Sequence, residues 1–361
     1  MRKSAYGTVA ALILCSASVF ASQNTQQEFN QVYQAYQHAV ESKNDTDKYE
    51  LAKKAYLLGQ KVYGKGQQNT LNLAANYAES MPEDMKKEQV ALYQEIVTTT
   101  EQLYGTKSLR LVDPLLLLAK SLVESGKRSS WHKHIEHAID IAKNSKDLVL
   151  ESKVNFEAAK ILFTSREHYR KAKQYLTRTD EINIKHLPID ALHRLEVDMW
   201  VAAYEAGRKR HNAAVERLTN VVDVFDNNLD FEHPYELFAH SRLVVAYERK
   251  GDREAATKHC IAIAQMRPWN DNMEQTPLYR QEPKYPTGAA KMGREGSVQL
   301  EFTVTPSGFV EDIMILNPEQ GKAFQNASIK ALKQWRYAPK FVDGVAVPAT
   351  SSVQLDFRLR R

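Results

Sequence analysis

From residue 26 to 266 apolar positions recur three and four apart, with few glycines or prolines between them. That spacing lays one apolar stripe along a helix, and its repetition predicts helix after helix. The clearest unit runs from Leu237 to Pro268. Leu243, Tyr247, Gly251, Asp252, Ala256 and Pro268 fall where a helix, a Gly-Asp turn, a second helix and a closing proline would place them. Leu243 and Tyr247 share a face, and Ala256 is small enough to let the second helix approach the first. Cys260 lies one turn further along that packed face and is expected to be a buried free thiol. Fainter echoes precede this unit: Leu73 with Tyr77, Leu118, Leu122 and Gly126 with Ala138, Phe163 with Ala172, and Tyr204 with Ala213.

Beyond Pro268 the period changes. Pro268, Asn270, Asp271, Asn272, Thr276 and Pro277 predict a linker over 267–281. After Arg280-Gln281-Glu282-Pro283-Lys284-Tyr285-Pro286 comes strict alternation from Glu295 to Thr305, with Val298, Leu300, Phe302 and Val304 on one face. Pro306-Ser307-Gly308 turns the chain into a second strand, Phe309 to Leu316. Phe324, Ala327, Ala331 and Trp335 then follow a helical stripe that Pro339 is expected to stop. A last strand, Ser352 to Leu359, sets Val353, Leu355 and Phe357 against Gln354, Asp356 and Arg358. The fold class that follows is mainly α: a helical repeat array over 22–266, then a small α+β domain over 282–361 in the order strand-strand-helix-strand.

Composition narrows the function. In 361 residues, 43% are hydrophobic and 26% charged, an ordinary globular balance. The formal charge of +5 is spread along the chain, which argues against a nucleic-acid binder. Two cysteines, Cys15 and Cys260, can build neither a disulfide framework nor a four-cysteine zinc site. At the N-terminus Arg2 and Lys3 precede an uncharged, mostly apolar stretch that ends in Val19-Phe20-Ala21. This has the form of an export signal, residues 1–21, cleaved after Ala21. At 1.5 Å per residue it reaches ~25 Å, short of the ~30 Å hydrocarbon core of a bilayer.

Candidate chemistry is sparse. In Trp131-His132-Lys133-His134-Ile135-Glu136-His137 the pairs His132/Glu136 and His134/His137 point to different sides of a helix, so a solvated face is expected rather than a metal site. No nucleophile elbow, phosphate-cradling glycine loop or catalytic cysteine motif is present. The expectation is a protein that binds other proteins, with no enzymatic activity, cofactor or metal.

Two resemblances sharpen this. The unit built on Leu243, Tyr247, Gly251 and Ala256 resembles the tetratricopeptide (TPR) repeat, and the earlier echoes extend it to about five to seven degenerate helix pairs. The stretch from Arg280 to Leu359 resembles the C-terminal domain of TonB, the periplasmic energy transducer of Gram-negative bacteria. Pro283-x-Tyr285-Pro286, Glu295-Gly296-x-Val298, Thr305-Pro306-x-Gly308-x-Val310 and Trp335-Arg336-Tyr337-x-Pro339 carry that likeness, in this order.

The resemblance implies a periplasmic protein that binds the TonB-box segment of outer-membrane TonB-dependent transporters and so takes part in energy-coupled uptake of the siderophore class. By position, Arg280, Gln281, Lys284, Tyr285 and Pro286 match the stretch that meets the transporter. Trp335, Arg336, Tyr337 and Pro339 are expected to be structural. The chain also departs from the family. The apolar N-terminal stretch lacks the histidine that meets the ExbB and ExbD motor proteins, and helices replace the proline-rich spacer. The repeats are therefore the expected dock for an ExbB/ExbD-type motor complex. An inner-membrane anchor facing the periplasm is the competing form of residues 1–21. A periplasmic scaffold that binds another protein or peptidoglycan, unconnected with uptake, is the competing function. The last strand, through Ser352, Gln354, Asp356 and Arg358, is expected to be an open edge that captures an extended peptide, with pairing to a second copy as a homodimer the competing use. Lys284, Arg358 and Arg360 would favour an acidic segment there.

Overall fold

The computed structural model describes residues 9–359 apart from 127–130, 165, 230–232, 268, 272 and 320, and for 9–22 and 166 it describes the backbone alone. The side chains of the expected export signal, and Pro268, Asn272 and Arg360, thus lie outside the described residues. Among the described residues no helix is long and apolar enough to cross a membrane. The chain divides into two compact units, Met1–His186 and Leu187–Arg361.

The first unit is helical throughout: α1 (Val9–Glu41), α2 (Asp45–Tyr63), α3 (Gln68–Glu79), α4 (Lys86–Tyr104), α5 (Val112–Glu124), α6 (Trp131–Asn144), α7 (Leu148–Phe163) and α8 (Tyr169–His186). Each packs on the next, and α5 also touches α7. Short polar caps start α2 and α7. Asn44 accepts from the Asp47 amide and Asp147 from the Val149 and Leu150 amides, satisfying donors that a helix start leaves unpaired. Leu111, Leu115, Leu118, Ile135, Ala138, Leu162 and Ala172 form the centre of the core. One expectation fails here. The histidine run of α6 is not a solvated face, because His134 is buried beside Trp131 and Ile135. Burial, reinforced by Lys133 and His137, depresses its pKa to about 4. His132 and Glu136 do face solvent, while His137 bonds the Thr106 carbonyl at 2.7 Å.

The second unit opens with α9 (Leu192–Gly207), α10 (His211–Asn228), α11 (Pro234–Lys250) and α12 (Arg253–Met266). The expected register of the last pair is present: Leu243, Ala256 and Cys260 are fully buried. Gly251 ends α11 with φ 81°, a left-handed conformation that costs glycine no steric penalty. Asp252 then caps α12 by accepting from the Ala255 amide. In α10 the echo is off by one residue, since Ala214 is buried and Ala213 is only half-buried.

After α12 the chain passes α13 (Thr287–Lys291) and enters β1 (Gly296–Val304), β2 (Val310–Ile315), α14 (Lys322–Leu332), β3 (Lys340–Val342), β4 (Val345–Val347) and β5 (Ala349–Phe357). The main sheet is antiparallel with order β2-β1-β5. Its inner face, Val298, Leu300, Phe302, Val304, Leu355 and Phe357, is buried with Phe324 and Leu332 of α14 and with Trp335 and Tyr337. Two details differ from expectation. The α14 helix ends at Leu332, so Pro339 does not stop it; Trp335, Arg336 and Tyr337 follow outside the helix, with Arg336 bridged to Tyr279. A second small hairpin, β3–β4, turns at Asp343-Gly344, where both residues have positive φ. The protein is thus mainly helical, closed by a small α+β domain.

Candidate partner-binding edge

Two strands border the main sheet, and they are not equivalent. The β2 strand is six residues long, carries a register shift against β1 and holds Asp312 at φ 49°. A bulge with acidic residues is how an edge is kept from pairing with another chain. The β5 strand is nine residues long, pairs with β1 without a register shift and contains no proline.

Backbone geometry fixes which groups of β5 are available. Gln299 turns its backbone towards β2: its carbonyl accepts from the Leu316 amide at 2.9 Å, and its amide donates to Asn317 Oδ1 at 2.8 Å. Strand backbone groups alternate in direction, so Val298, Leu300 and Phe302 turn theirs towards β5. Their register partners are Leu355, Val353 and Ser351. Those β5 residues therefore spend their amides and carbonyls on β1, and Thr350, Ser352, Gln354 and Asp356 direct theirs outward along the edge.

The side chains of these outward residues are exposed on the face opposite the core. Gln354 accepts from Gln299 Nε2 at 3.1 Å and donates to Asp356 Oδ1 at 2.9 Å. That bond, with a second from Ser297, holds the Asp356 carboxyl below the usual carboxylate range. Arg358, past the end of β5, is exposed and stands 3.6 Å from Asp356.

The lead-in segment lies on the inner side of the domain. Tyr285 makes edge-to-face contacts with Phe324 and Phe357, and its hydroxyl donates to the Arg294 carbonyl at 2.8 Å. Pro286 sits at the N-cap of α13. The Gln281 carbonyl accepts from Trp335 Nε1 at 2.9 Å, and the Arg280 guanidinium lies over the Trp335 ring at 4.9 Å while pairing with Glu282. Lys284 and Gln281 line an open groove of about 300 Å³ against Ala327, Lys330 and Ala331 of α14 and Gln334 just beyond it. The residues expected to meet a partner thus fall in two places. Ser352, Gln354 and Asp356 share the edge with Arg358 beyond its end, whereas Arg280, Gln281 and Lys284 belong to the lead-in and its groove. Tyr285 and Pro286 are engaged in packing and capping.

Of the residues expected to be structural, Trp335, Arg336, Tyr337 and Pro339 are all buried. Sequence reasoning missed Lys330 and Gln334 in the groove, and it missed β3–β4. The second had a readable signal, Asp343-Gly344 between Val342 and Val345, the strongest short hairpin cue.

The domain is thus a three-stranded antiparallel sheet with one long, regular edge strand, β5, backed on its inner face by α14. Residues 281–359 match the family described as Gram-negative bacterial TonB protein C-terminal. Protein TonB of Escherichia coli strain K12 is 37% identical over 62 residues, which are 17% of this chain and 26% of that protein. Protein TonB of Vibrio cholerae is 31% identical over 78 residues, 22% of this chain and 32% of that protein. The chain thus spans a third or less of the length of these curated relatives. Among solved structures, the solution structure of the Pseudomonas aeruginosa TonB C-terminal domain is 27% identical, with 25% of this chain and 92% of that one covered at a TM-score of 0.22. A crystal structure of kinesin light chain TPR-like repeats from Podosopora anserina is 20% identical, with 55% of this chain and 94% of that one covered at a TM-score of 0.45. Residues 281–359 are thus similar to a TonB-type C-terminal domain, and helical hairpins precede them.

Proposed function

We propose that this chain is a TonB-like protein of the cell envelope that takes part in energy-coupled transport, and that its C-terminal domain binds the TonB-box segment of outer-membrane transporters. The segment lies along β5 as an added antiparallel or parallel strand. The outward amides and carbonyls of Ser352, Gln354 and Asp356 pair with its backbone, and the helical array over 22–266 serves as a dock for a further envelope partner, an ExbB/ExbD-type motor complex. The single observation that carries the reading is the contrast between edges: β2 is bulged and acidic, whereas β5 is regular and, among the described residues, pairs on its β1 side alone. Main-chain bonding supplies affinity that depends little on the segment's side chains, so one domain can serve several transporters. Siderophore-class cargo follows from the family likeness alone.

Proline substitution tests the mechanism cleanly. The amides of Gln354 and Asp356 point away from β1, so Gln354→Pro or Asp356→Pro removes an outward donor and leaves the β1–β5 ladder intact. In titration calorimetry with a TonB-box peptide, either variant of the full chain should bind ~10-fold or more weakly than wild type while its circular dichroism is unchanged. A folded variant that binds as tightly as wild type would overturn strand addition. A sedimentation profile that shifts from dimer to monomer in the same variants would assign the edge to self-association instead.

A further inference from the structure

The guanidinium of Arg336 is fully buried, and each of its five N–H donors has an acceptor. Nε donates to the Gly308 carbonyl at 3.3 Å. Nη1 donates to Glu248 Oε1 at 2.5 Å and to the Arg253 carbonyl at 3.3 Å. Nη2 donates to Thr257 Oγ1 at 2.7 Å and to the Ser307 carbonyl at 2.8 Å. One side chain of the TonB-type domain thus reaches α11 through Glu248, α12 through Arg253 and Thr257, and the β1–β2 turn through Ser307 and Gly308. The Phe309 ring of that turn meets two guanidinium groups, Arg336 at 3.8 Å and Arg253 at 4.6 Å from its centroid. The Gly308 carbonyl accepts a second bond, from the Tyr337 amide at 3.0 Å.

An apolar seam continues the contact. Val244, Cys260 and Ile263 of the helix pair are buried with Leu278, Tyr279 and Ala338 packed against them. The 267–281 segment is drawn into the same seam: the Leu278 amide donates to the Arg336 carbonyl at 2.7 Å, and Lys340 pairs with Asp271 at 2.7 Å. A tethered domain would leave these groups to water. Here a buried ion pair, satisfied on every donor, is the centre of the contact, and removing one partner of such a pair is costly.

We propose that the TonB-type domain is seated on α11–α12 as one cooperative folding unit, with Arg336 the positioning residue that fixes the direction of the β5 edge relative to that helix pair. This rests on the binding reading above only for its consequence: a segment held on β5 passes load into the helices instead of swinging on a tether. The seating itself concerns Arg336, Glu248 and Thr257 and needs no ligand.

Amide hydrogen exchange on the full chain tests it. Glu248→Gln, a change on α11, should speed exchange ~10-fold or more in 296–304 and 349–357 as well as in 234–266. Leu300→Ala, deep in β1, should in turn speed exchange in 234–266. Acceleration confined in either variant to the mutated side would overturn the proposal. Spin labels at Lys258→Cys on α12 and Lys330→Cys on α14 separate positioning from mere stability. A single narrow distance distribution in the otherwise native chain, broadened by Glu248→Gln under conditions where both parts stay folded, is expected. A distribution that is broad from the start, or that Glu248→Gln leaves unchanged, contradicts it. Both measurements omit the peptide, so failure of the seating and failure of strand addition register in different experiments.

Discussion

The Nδ1 atoms of His240 on α11 and His259 on α12 lie 2.8 Å apart, so the two imidazoles share one proton across the helix pair that seats the C-terminal domain. Tyr247 stacks on His259. Burial, with His240 and Lys258 adding to it, depresses the His259 pKa to about 4. Burial lowers that of His240 too, against an opposing pull from Asp226.

The sign of the pH dependence follows. Both groups bind a proton less readily folded than unfolded, so the unfolded chain takes up protons first as pH falls through ~6.5. The contribution of these histidines to stability should be lost from there towards pH 4, with His134 adding to the loss. Melting temperatures between pH 7.5 and 4.5 should fall in the wild type and fall less steeply in His259→Gln. A melting temperature that is flat or rises on acidification would contradict the pairing.

Ala256 marks how closely α12 approaches α11. It is fully buried, and Ala256→Leu would force extra methylenes into a closed contact, at a cost of about 1–3 kcal/mol. Denaturant unfolding of the full chain should show that loss. An unchanged midpoint would mean the small residue is not at the helix crossing.

Two turn glycines with nearly equal φ separate backbone strain from steric conflict. Gly308 has φ 78° and Gly344 φ 77°. A Cβ on Gly308 would overlap the Tyr337 carbonyl oxygen and approach Cys260, whereas a Cβ on Gly344 meets nothing within 4 Å. Gly344→Ala should cost about 1 kcal/mol, and Gly308→Ala several times as much, because the turn must shift away from the Tyr337 carbonyl. Equal losses in thermal unfolding would show that the turn is not held against the Tyr337 backbone.

Cys260 should be inert. Burial pushes its thiol up to about 11, and the neighbouring Arg336 only partly offsets this. A thiolate reagent at pH 8 should leave it unmodified in the native chain and label it on unfolding. Rapid labelling of the native chain would mean that the seam opens.

Local periodicity made much of this legible. Val298, Leu300 and Phe302 alternate because one sheet face is buried, and Leu243, Gly251 and Ala256 fit a helix pair because each position has a separate steric demand. The register slipped at Ala213, where two adjacent alanines, Ala213 and Ala214, leave the packed position undecided. Trp335 looked helical because its spacing from Ala331 suits a helix, yet its indole is buried beyond the end of α14 and bonds the Gln281 carbonyl. The seat of Arg336 was not readable at all. Its partner Glu248 is 88 residues away, and nothing local distinguishes that glutamate from its solvated neighbours. On the candidate site, alternation placed Ser352, Gln354 and Asp356 on one face of a strand, but only the pairing register shows that their backbones face the open edge.

The central claim is that β5 adds a strand, and amide exchange at single-residue resolution tests it most directly. In the free chain the amides of Ser351, Val353 and Leu355 should be protected by β1, and those of Ser352, Gln354 and Asp356 should exchange quickly. On saturation with a TonB-box peptide the second set should become protected ~10-fold or more while the first changes little. If the peptide binds and Ser352, Gln354 and Asp356 remain as fast as before, the partner sits elsewhere on the domain and the edge is not the site.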